Sequence, residues 1–413
     1  MRVPSAVVDL ARACQAAGGR AWLVGGCVRD DLLGLPLKDV DIEVHGLPAP
    51  ALEAVLRGLG KVNQVGRSFG VYKLTVGRHT LDVSLPRRDS NVGPGHRGIR
   101  VEGDPEMGVV EAARRRDLTI NAMLEDPLTG EVADPFGGRA DLEARLLRAV
   151  DAATFLEDPL RALRVVQFAG RFGFQADPEL IALCRRAPLD ELPAERVWGE
   201  LEKLLLRSPR PSVGLRVARQ AQVLRRVLPE VDACPAGAVD AAVDRAALER
   251  DQAGPAPRPL ALMLGALLHG LDPAAAQAAL DRLQVHTLAR YPLRERVLGV
   301  VGAWPQVAAP ATDTTLRSLA ETHPLDLLCR LAWAASGEPD ARAALARAQV
   351  LGIAEQPLPL LLQGRDLRDL GARPGPLMGR ILAEIRRAQV EGRVGTMEQA
   401  LDLARQLLAR PDA

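Results

Sequence analysis

The sequence predicts an α+β protein in which a small N-terminal α/β domain precedes a long all-α region. Strand-like alternation and glycine turns are confined to the first 140 residues. From about residue 142 onward the spacing is almost entirely helical, with Leu and Ala dominant and Arg on the polar faces. The composition, 47% hydrophobic and 25% charged over 413 residues, is that of a globular chain with several domains, which excludes disordered and collagen-like classes. Aromatic residues make up only 3%, so the core must be mostly Leu, Ala and Val.

Residues 5–17 have helical spacing through Val8, Leu10, Ala11 and Cys14, and stop at Gly18-Gly19. AWLV (21–24) reads as a buried strand that runs into Gly25-Gly26 and a second helical stretch, CVRDDLLG. DVDIEV (39–44) alternates acidic and apolar residues, a strand signature. VYKLTVGRHTLDVSL (71–85) predicts a hairpin around Gly77-Arg78. SNVGPGHRG (90–98) has little to bury and predicts a mobile loop. In the helical region, Pro and Gly clusters at 229–237 and 253–259 and the SGEPD stretch at 336–340 mark breaks between helical groups. No fixed-period repeat is present.

With 53 Lys and Arg against 52 Asp and Glu, the net charge is +1, so a nucleic-acid partner has to be met by a local basic patch. Only Lys38, Lys61, Lys73 and Lys203 are lysines, which leaves phosphate contacts mainly to guanidinium forks. Between 161 and 226 there are 13 Arg and Lys against 7 Asp and Glu, enough to follow a nucleic-acid backbone, although ordinary polar helix faces would look the same. Cys14, Cys27, Cys184, Cys234 and Cys329 form no CxxC pair, and their odd number does not suit a disulfide framework. They read as buried apolar residues in a reducing cytosol. Polar residues near the N-terminus come too early for a signal peptide, and no apolar run approaches membrane-spanning length. The expected location is cytoplasmic.

The chemistry centres on Asp39 and Asp41. Residues i and i+2 of a strand share a face, and two carboxylates side by side repel unless a cation sits between them. Carboxylate oxygens suit hard cations such as Mg²⁺, and a pair of such metals is a clamp for phosphoryl transfer. A solvated strand edge would show the same DxD. Gly25-Gly26 lies upstream between a strand and a helix, where a backbone can pass close to a triphosphate, and Arg29 is in the first turn of that helix. Asp82, in the second half of the hairpin, is either a third carboxylate facing the same metals or a surface acid. Of the run Arg114-Arg115-Arg116-Asp117, one or two arginines can line a nucleotide channel. In FLEDPLRALRVVQFAGRFGF (155–174), Asp158-Pro159 reads as a helix start with Arg161 and Arg164 on one face. Glu157 or Asp158 with Arg161 then offers an acceptor beside a donor fork, a match for a base edge; an Asp158 cap paired with Arg161 is the structural alternative.

LVGGCVRD, DVDIEV, RRRDLTINA, DPFGGRADL and EDPLRALRVVQFAGRFGF occur in order at suitable spacing. Together they resemble the motifs of bacterial class II tRNA nucleotidyltransferases, the CCA-adding enzymes, and of the related poly(A) polymerases. The resemblance is dense over 20–175; ERVWGELEKLL (195–205) and GRDLRDLGARPGPLMGRILAEI (364–385) extend it into the helical region. It implies a polymerase-beta-like nucleotidyltransferase head (1–140), neck helices that select the base (141–207), a helical body (208–338) and a tRNA-binding tail (339–413). The residues it implies as catalytic are Asp39, Asp41 and Asp82, with Asp39 and Asp41 on Mg²⁺. Those implied on the nucleotide are Gly25, Gly26, Arg29, Arg116, Asp117, Asn121, Glu157, Asp158, Arg161 and Arg164. DPFGG (134–138) would be the flexible element between C and A addition, and SNVGPGHRG the flexible loop whose length argues against CC-only relatives.

The implied activity is template-independent addition of C, C and A to the tRNA 3′ end from CTP and ATP. An A-adding enzyme working with a CC-adding partner, or a poly(A) polymerase, is the alternative within the class. Many relatives carry an HD phosphohydrolase, but here LLHG (267–270) puts Gly270 after His269, which argues against hydrolysis. A catalytically dead RNA-binding protein is the remaining rival, opposed by the intact Asp39, Asp41 and Arg161.

Overall fold

The computed structural model describes residues 3–37, 39–64, 71–91 and 99–409. Contacts divide the chain into two compact units, Met1–Glu200 with Val213–Val227, and Leu201–Ser212 with Leu228–Ala413.

The first unit opens with α1 (Ser5–Ala16), β1 (Arg20–Val24), α2 (Gly26–Leu32), β2 (Asp41–His45), α3 (Ala49–Leu59) and β3 (Lys61–Gln64). The expected hairpin is β4 (Val71–Val76) and β5 (His79–Ser84), with Val76 opposite His79 across the Gly77-Arg78 turn. β6 (Arg87–Asn91) and β7 (Ile99–Gly103) pair separately. Ser90 and Asn91, the first two residues of the loop expected over 90–98, are in β6; residues 92–98 lie outside the described residues.

Then come α4 (Val109–Arg114), a 3₁₀ turn (Thr119–Asn121), β8 (Leu124–Glu125) and β9 (Val132–Ala133). The seven-stranded sheet has the order β3-β4-β5-β2-β1-β8-β9. Its pairs are antiparallel except β2 with β5. AWLV is an unbroken apolar run because β1 is covered on both faces: Ala21 to Val24 are all buried. On one face α1 and α3 pack together, with Val7, Leu10, Cys14, Leu52 and Leu56 buried. Trp22 and Val24 pack with Ala113, Ala122 and Leu124 in a second small cluster.

Past the sheet, α5 (Gly138–Ala144), β10 (Leu146–Leu147), α6 (Ala152–Glu157), α7 (Leu160–Phe172), β11 (Gln175–Ala176), α8 (Pro178–Arg186) and α9 (Ala194–Arg207) follow. The parallel β10–β11 ladder interrupts the expected all-helical run. Two residues per strand are too few to leave a periodic signal. α6 is capped by Asp151, whose side chain accepts from the Ala153 and Thr154 N–H groups at 3.0 Å. α7 starts at Leu160, one residue later than the Asp158 cap implied; the Asp158 Oδ1 still accepts from the Leu160 N–H at 3.1 Å.

In the second unit, helix Arg258–Leu268 is buried at every position from Leu260 to Leu268 and packs against Ala236–Glu249, Leu293–Ala303 and Leu325–Ser336. Charges within this bundle are paired: Arg258 with Asp326 and Arg330 with Glu249. Helices Gly364–Asp369, Pro376–Val390 and Met397–Leu408 have their own cluster around Leu367, Ile381, Ile385 and Ala400. Arg386 forks onto Glu321 at 2.9 and 2.5 Å. Breaks fall at 253–257 and at Gly337-Glu338, as expected, but Pro229–Asp232 is a short helix inside the first expected break. All five cysteines are free, and burial pushes Cys14 up to about 11 and Cys184 and Cys329 up to about 12. Among the described residues no helix is long and apolar enough to cross a membrane.

Candidate active site

Pairing β2 with β5 in parallel sets Asp41 directly across from Asp82. Pairing β5 with β4 sets Asp82 across from Lys73, whose Nζ lies 3.2 Å from Asp82 Oδ1. These strands wall a cavity of about 370 Å³. Asp41, Glu43 and Asp82 face it from the sheet, and Arg115 and Arg116 line it after α4. Asp39 is exposed just before β2, so only the second carboxylate of the DxD pair is in the ladder.

The carboxylates are under electrostatic stress. Partial desolvation, with Asp82 and Asp39 nearby, outweighs the pull of Arg116 and Lys73 and holds the Asp41 carboxyl above its usual range. Asp82 Oδ1 is shielded and accepts no hydrogen bond, the Lys73 ammonium being near it but badly aimed. A hard cation with oxygen ligands relieves both strains. Among the described residues no group of three or more His, Cys, Asp or Glu is gathered closely enough to hold a metal. The carboxylates on this wall would supply one or two oxygen ligands to a divalent ion, the rest of whose shell would be water and phosphate oxygens.

Alternation along β2 puts Glu43 and His45 on the same face as Asp41. His45 Nε2 lies 3.0 Å from Glu43 Oε1, and its Nδ1 2.9 Å from the Met107 carbonyl oxygen. Burial alone would raise Glu43; the His45 contact and Arg116, 3.8 Å away, hold it below its usual range. The period-two reading that singled out Asp39 and Asp41 extends to Glu43 and His45 without further information. Lys73 was equally available, since a two-residue turn at Gly77-Arg78 dictates its pairing with Asp82.

Gly25 has φ +73°, and a Cβ there would sit 2.7 Å from Arg116 Nη1, so only glycine lets that guanidinium approach the strand–helix turn. Arg29, expected to reach a phosphate, is 3% exposed and turned inward. Its Nη1 donates to Asn121 Oδ1 at 2.5 Å, and its Nε and Nη2 donate to Asp30 Oδ1 at 2.8 and 2.6 Å. Asn121 Nδ2 donates to Asp117 Oδ1, and Arg164 Nε to Asp117 Oδ2 at 2.7 Å. Against full desolvation, which alone would raise it, Arg164 and Asn121 keep the Asp117 carboxyl below its usual range. Sequence reasoning put Arg29, Asp117, Asn121 and Arg164 on the nucleotide; here their polar atoms are engaged with one another.

The base-reading set is partly assembled. Glu157 is exposed at the end of α6. Asp158 meets Arg196 of α9 at 3.2 Å. Arg161 donates to the Thr154 carbonyl at 2.9 Å and to the Arg115 carbonyl at 2.5 Å, so it pairs with backbone and not with Asp158. In the DPFGG segment, Asp134 caps α5 through the Gly138 and Arg139 N–H groups at 2.7 and 2.9 Å. His269, at the end of its helix, has Nδ1 2.8 Å from the Ala266 oxygen and its ring edge against Trp304.

On this sheet a carboxylate wall faces a guanidinium wall beside a glycine turn. Residues 21–148 match the poly(A) polymerase head domain, and 173–234 match a probable RNA- and SrmB-binding site of polymerase A. Both matches fall on segments whose motifs resemble this family. It is 43% identical over 220 residues to the multifunctional CCA protein of Methylococcus capsulatus, covering 52% of this chain and 49% of that protein. The corresponding protein of Aromatoleum aromaticum is 44% identical over 218 residues, covering 52% and 51%. The chain thus spans about half the length of the curated relatives it matches. Its fold is similar to the Bacillus stearothermophilus CCA-adding enzyme in complex with CTP, with a TM-score of 0.76, 25% identity and full coverage of both chains. It is also similar to the Thermotoga maritima CCA-adding enzyme complexed with tRNA, with a TM-score of 0.72 and 23% identity over 99% of this chain and 96% of that one.

Proposed function

We propose that this chain is a cytoplasmic, template-independent tRNA nucleotidyltransferase that adds C, C and A to the tRNA 3′ end from CTP and ATP. The observation that carries the reading is a cavity with Asp41 and Asp82 in register on one wall and Arg115 and Arg116 on the other. The similarity to multifunctional CCA proteins, and to CCA-adding enzymes seen with CTP or tRNA, supports CCA addition over a poly(A) or A-only activity.

In this reading the terminal 3′-hydroxyl oxygen attacks the α-phosphorus, a new phosphodiester bond forms, and pyrophosphate leaves. Asp39 and Asp41 would hold Mg²⁺, with Asp82 as an adjacent acceptor. When bound, the metal lowers the pKa of the attacking hydroxyl and neutralises the leaving group. Arg116, against the Gly25-Gly26 turn, holds the triphosphate. Glu157, Asp158 and Arg161 read the base edge once Arg161 exchanges a backbone carbonyl for the base. The segment 1–140 serves as head, 141–207 as neck, 208–338 as body and 339–413 as tail, with the helical parts gripping the tRNA.

The test is product length. Transcripts of tRNA ending before CCA, after C and after CC are offered with labelled CTP or ATP. Completion to CCA on all three is expected. Addition of A to the CC-ended transcript alone would favour the A-adding alternative, and long A tails a poly(A) polymerase.

A further inference from the structure

α7 grips the segment 115–117 at two points one turn apart. Arg161 Nη2 donates to the Arg115 carbonyl at 2.5 Å, and Arg164 Nε to the Asp117 carboxylate at 2.7 Å. Arg116 lies between these points and reaches the cavity against Gly25. From Asp117 the bonds continue through Asn121 to Arg29 on α2. Arg29 binds Asp30, and Asp30 Oδ2 accepts from Arg171 Nη2 at 3.0 Å, which is again on α7. The chain of bonds leaves α7 at Arg164 and returns at Arg171. The Phe168 and Phe172 rings, on the same helix, lie 5.2 and 4.7 Å from the Arg29 guanidinium. Buried networks of this kind are rigid only when every member is partnered.

We propose that this closed ring is a positioning device for nucleotide choice, with Asp30 and Arg171 as its positioning residues. It locks the start of α7, with Arg161 in its first turn and Asp158 just before it, to the Gly25-Gly26 turn and to Arg116. A correct nucleotide then engages the base edge and the triphosphate side at once, whereas a wrong base engages only the triphosphate side. Linking two contacts through a rigid frame gains affinity only while the frame fits both. The inference rests on the proposed reading of α7 as base selector. It adds that selectivity depends on residues that touch neither base nor phosphate.

The experiment measures equilibrium CTP and UTP binding with Mg²⁺ for wild type, Arg171→Ala, Arg171→Lys, Arg116→Ala and the Arg171→Ala/Arg116→Ala pair, with thermal unfolding of each. In Arg171→Ala, CTP binding is expected to weaken about tenfold while UTP binding stays within about twofold of wild type. Arg171→Lys, which can still pair with Asp30, recovers part of the loss. In the Arg116→Ala background, Arg171→Ala has no further effect, because the triphosphate arm to be aligned is gone. Equal wild-type affinity for CTP and UTP overturns the inference. So does parallel weakening of both nucleotides with a lowered melting temperature, an unchanged CTP affinity, or multiplicative effects of the two substitutions. Because the readout is binding, a wild type that selects CTP but extends no tRNA would refute the proposed activity and leave the ring standing.

Discussion

Asp41 combines two properties that usually exclude one another, a strained charge and an exposed position. Its carboxyl is held above the usual range by desolvation and by Asp82 and Asp39, so ionised Asp41 is a cost that the fold carries at neutral pH. Asp41→Asn should therefore reduce nucleotide addition by about a hundredfold or more while leaving the melting temperature unchanged or higher. A matching fall in stability would show that the residue belongs to the core and not to the metal. Asp117 has the opposite sign. Its folded pKa is depressed by Arg164 and Asn121, so its contribution is complete above the unfolded carboxylate value and is lost as pH falls through the folded one. Breaking such a buried pair costs roughly 3–5 kcal/mol. Denaturant unfolding of wild type and Asp117→Asn should show that gap at pH 7 and a shrinking gap as the pH drops below 4. A gap that does not depend on pH would mean that the amide replaces the carboxylate fully.

At the scale of the element, the start of α7 has two jobs on one side chain. Asp158 accepts from the Leu160 N–H and pairs with Arg196. Asp158→Ala should cost about 1 kcal/mol of stability through the lost acceptor. Asp158→Asn and Asp158→Ser keep an acceptor but lose the carboxylate. If Asp158 reads the base, all three variants should incorporate UTP or GTP, with discrimination down by about 1–3 kcal/mol. Wild-type selectivity in Asn and Ser would leave Asp158 as a local anchor only. Elements of this length were legible in the sequence because their signals are local. The β1–turn–α2 unit, the β4–β5 hairpin and the body of α7 each declare a period within a dozen residues. The pairing of β2 with β5 was not legible, because no window holds both strands, and it is what puts Asp41 beside Asp82. The inward turn of Arg29 was missed for a related reason. In a helix of seven residues, the buried face is chosen by Phe168, Phe172 and Asn121, which arrive from far along the chain.

For the whole molecule, near-neutrality hides an uneven distribution. The net charge is +1, yet the stretch 161–226 carries an excess of six positive charges. Some of these arginines are spent inside the fold: Arg185 on the Gln220 carbonyl and Arg226 on that of Ala187. Arg186, Arg207 and Arg225 are exposed and can meet phosphates. Each phosphate contact to duplex RNA releases condensed counterions, so affinity should fall log-linearly with salt, by roughly 0.7–0.9 in slope per contact. If these residues follow the acceptor stem, Arg186→Glu and Arg225→Glu should each weaken tRNA binding and flatten that slope by about one contact. The affinity for free CTP should stay unchanged, since the proposed function places the nucleotide in the sheet cavity beside Arg116, away from these residues. Filter binding of tRNA between 50 and 300 mM salt (roughly the range over which such slopes are resolved) would measure both. An unchanged slope in both variants would move the tRNA to another surface, because a guanidinium that meets a phosphate cannot be reversed in charge without a trace in the ion count.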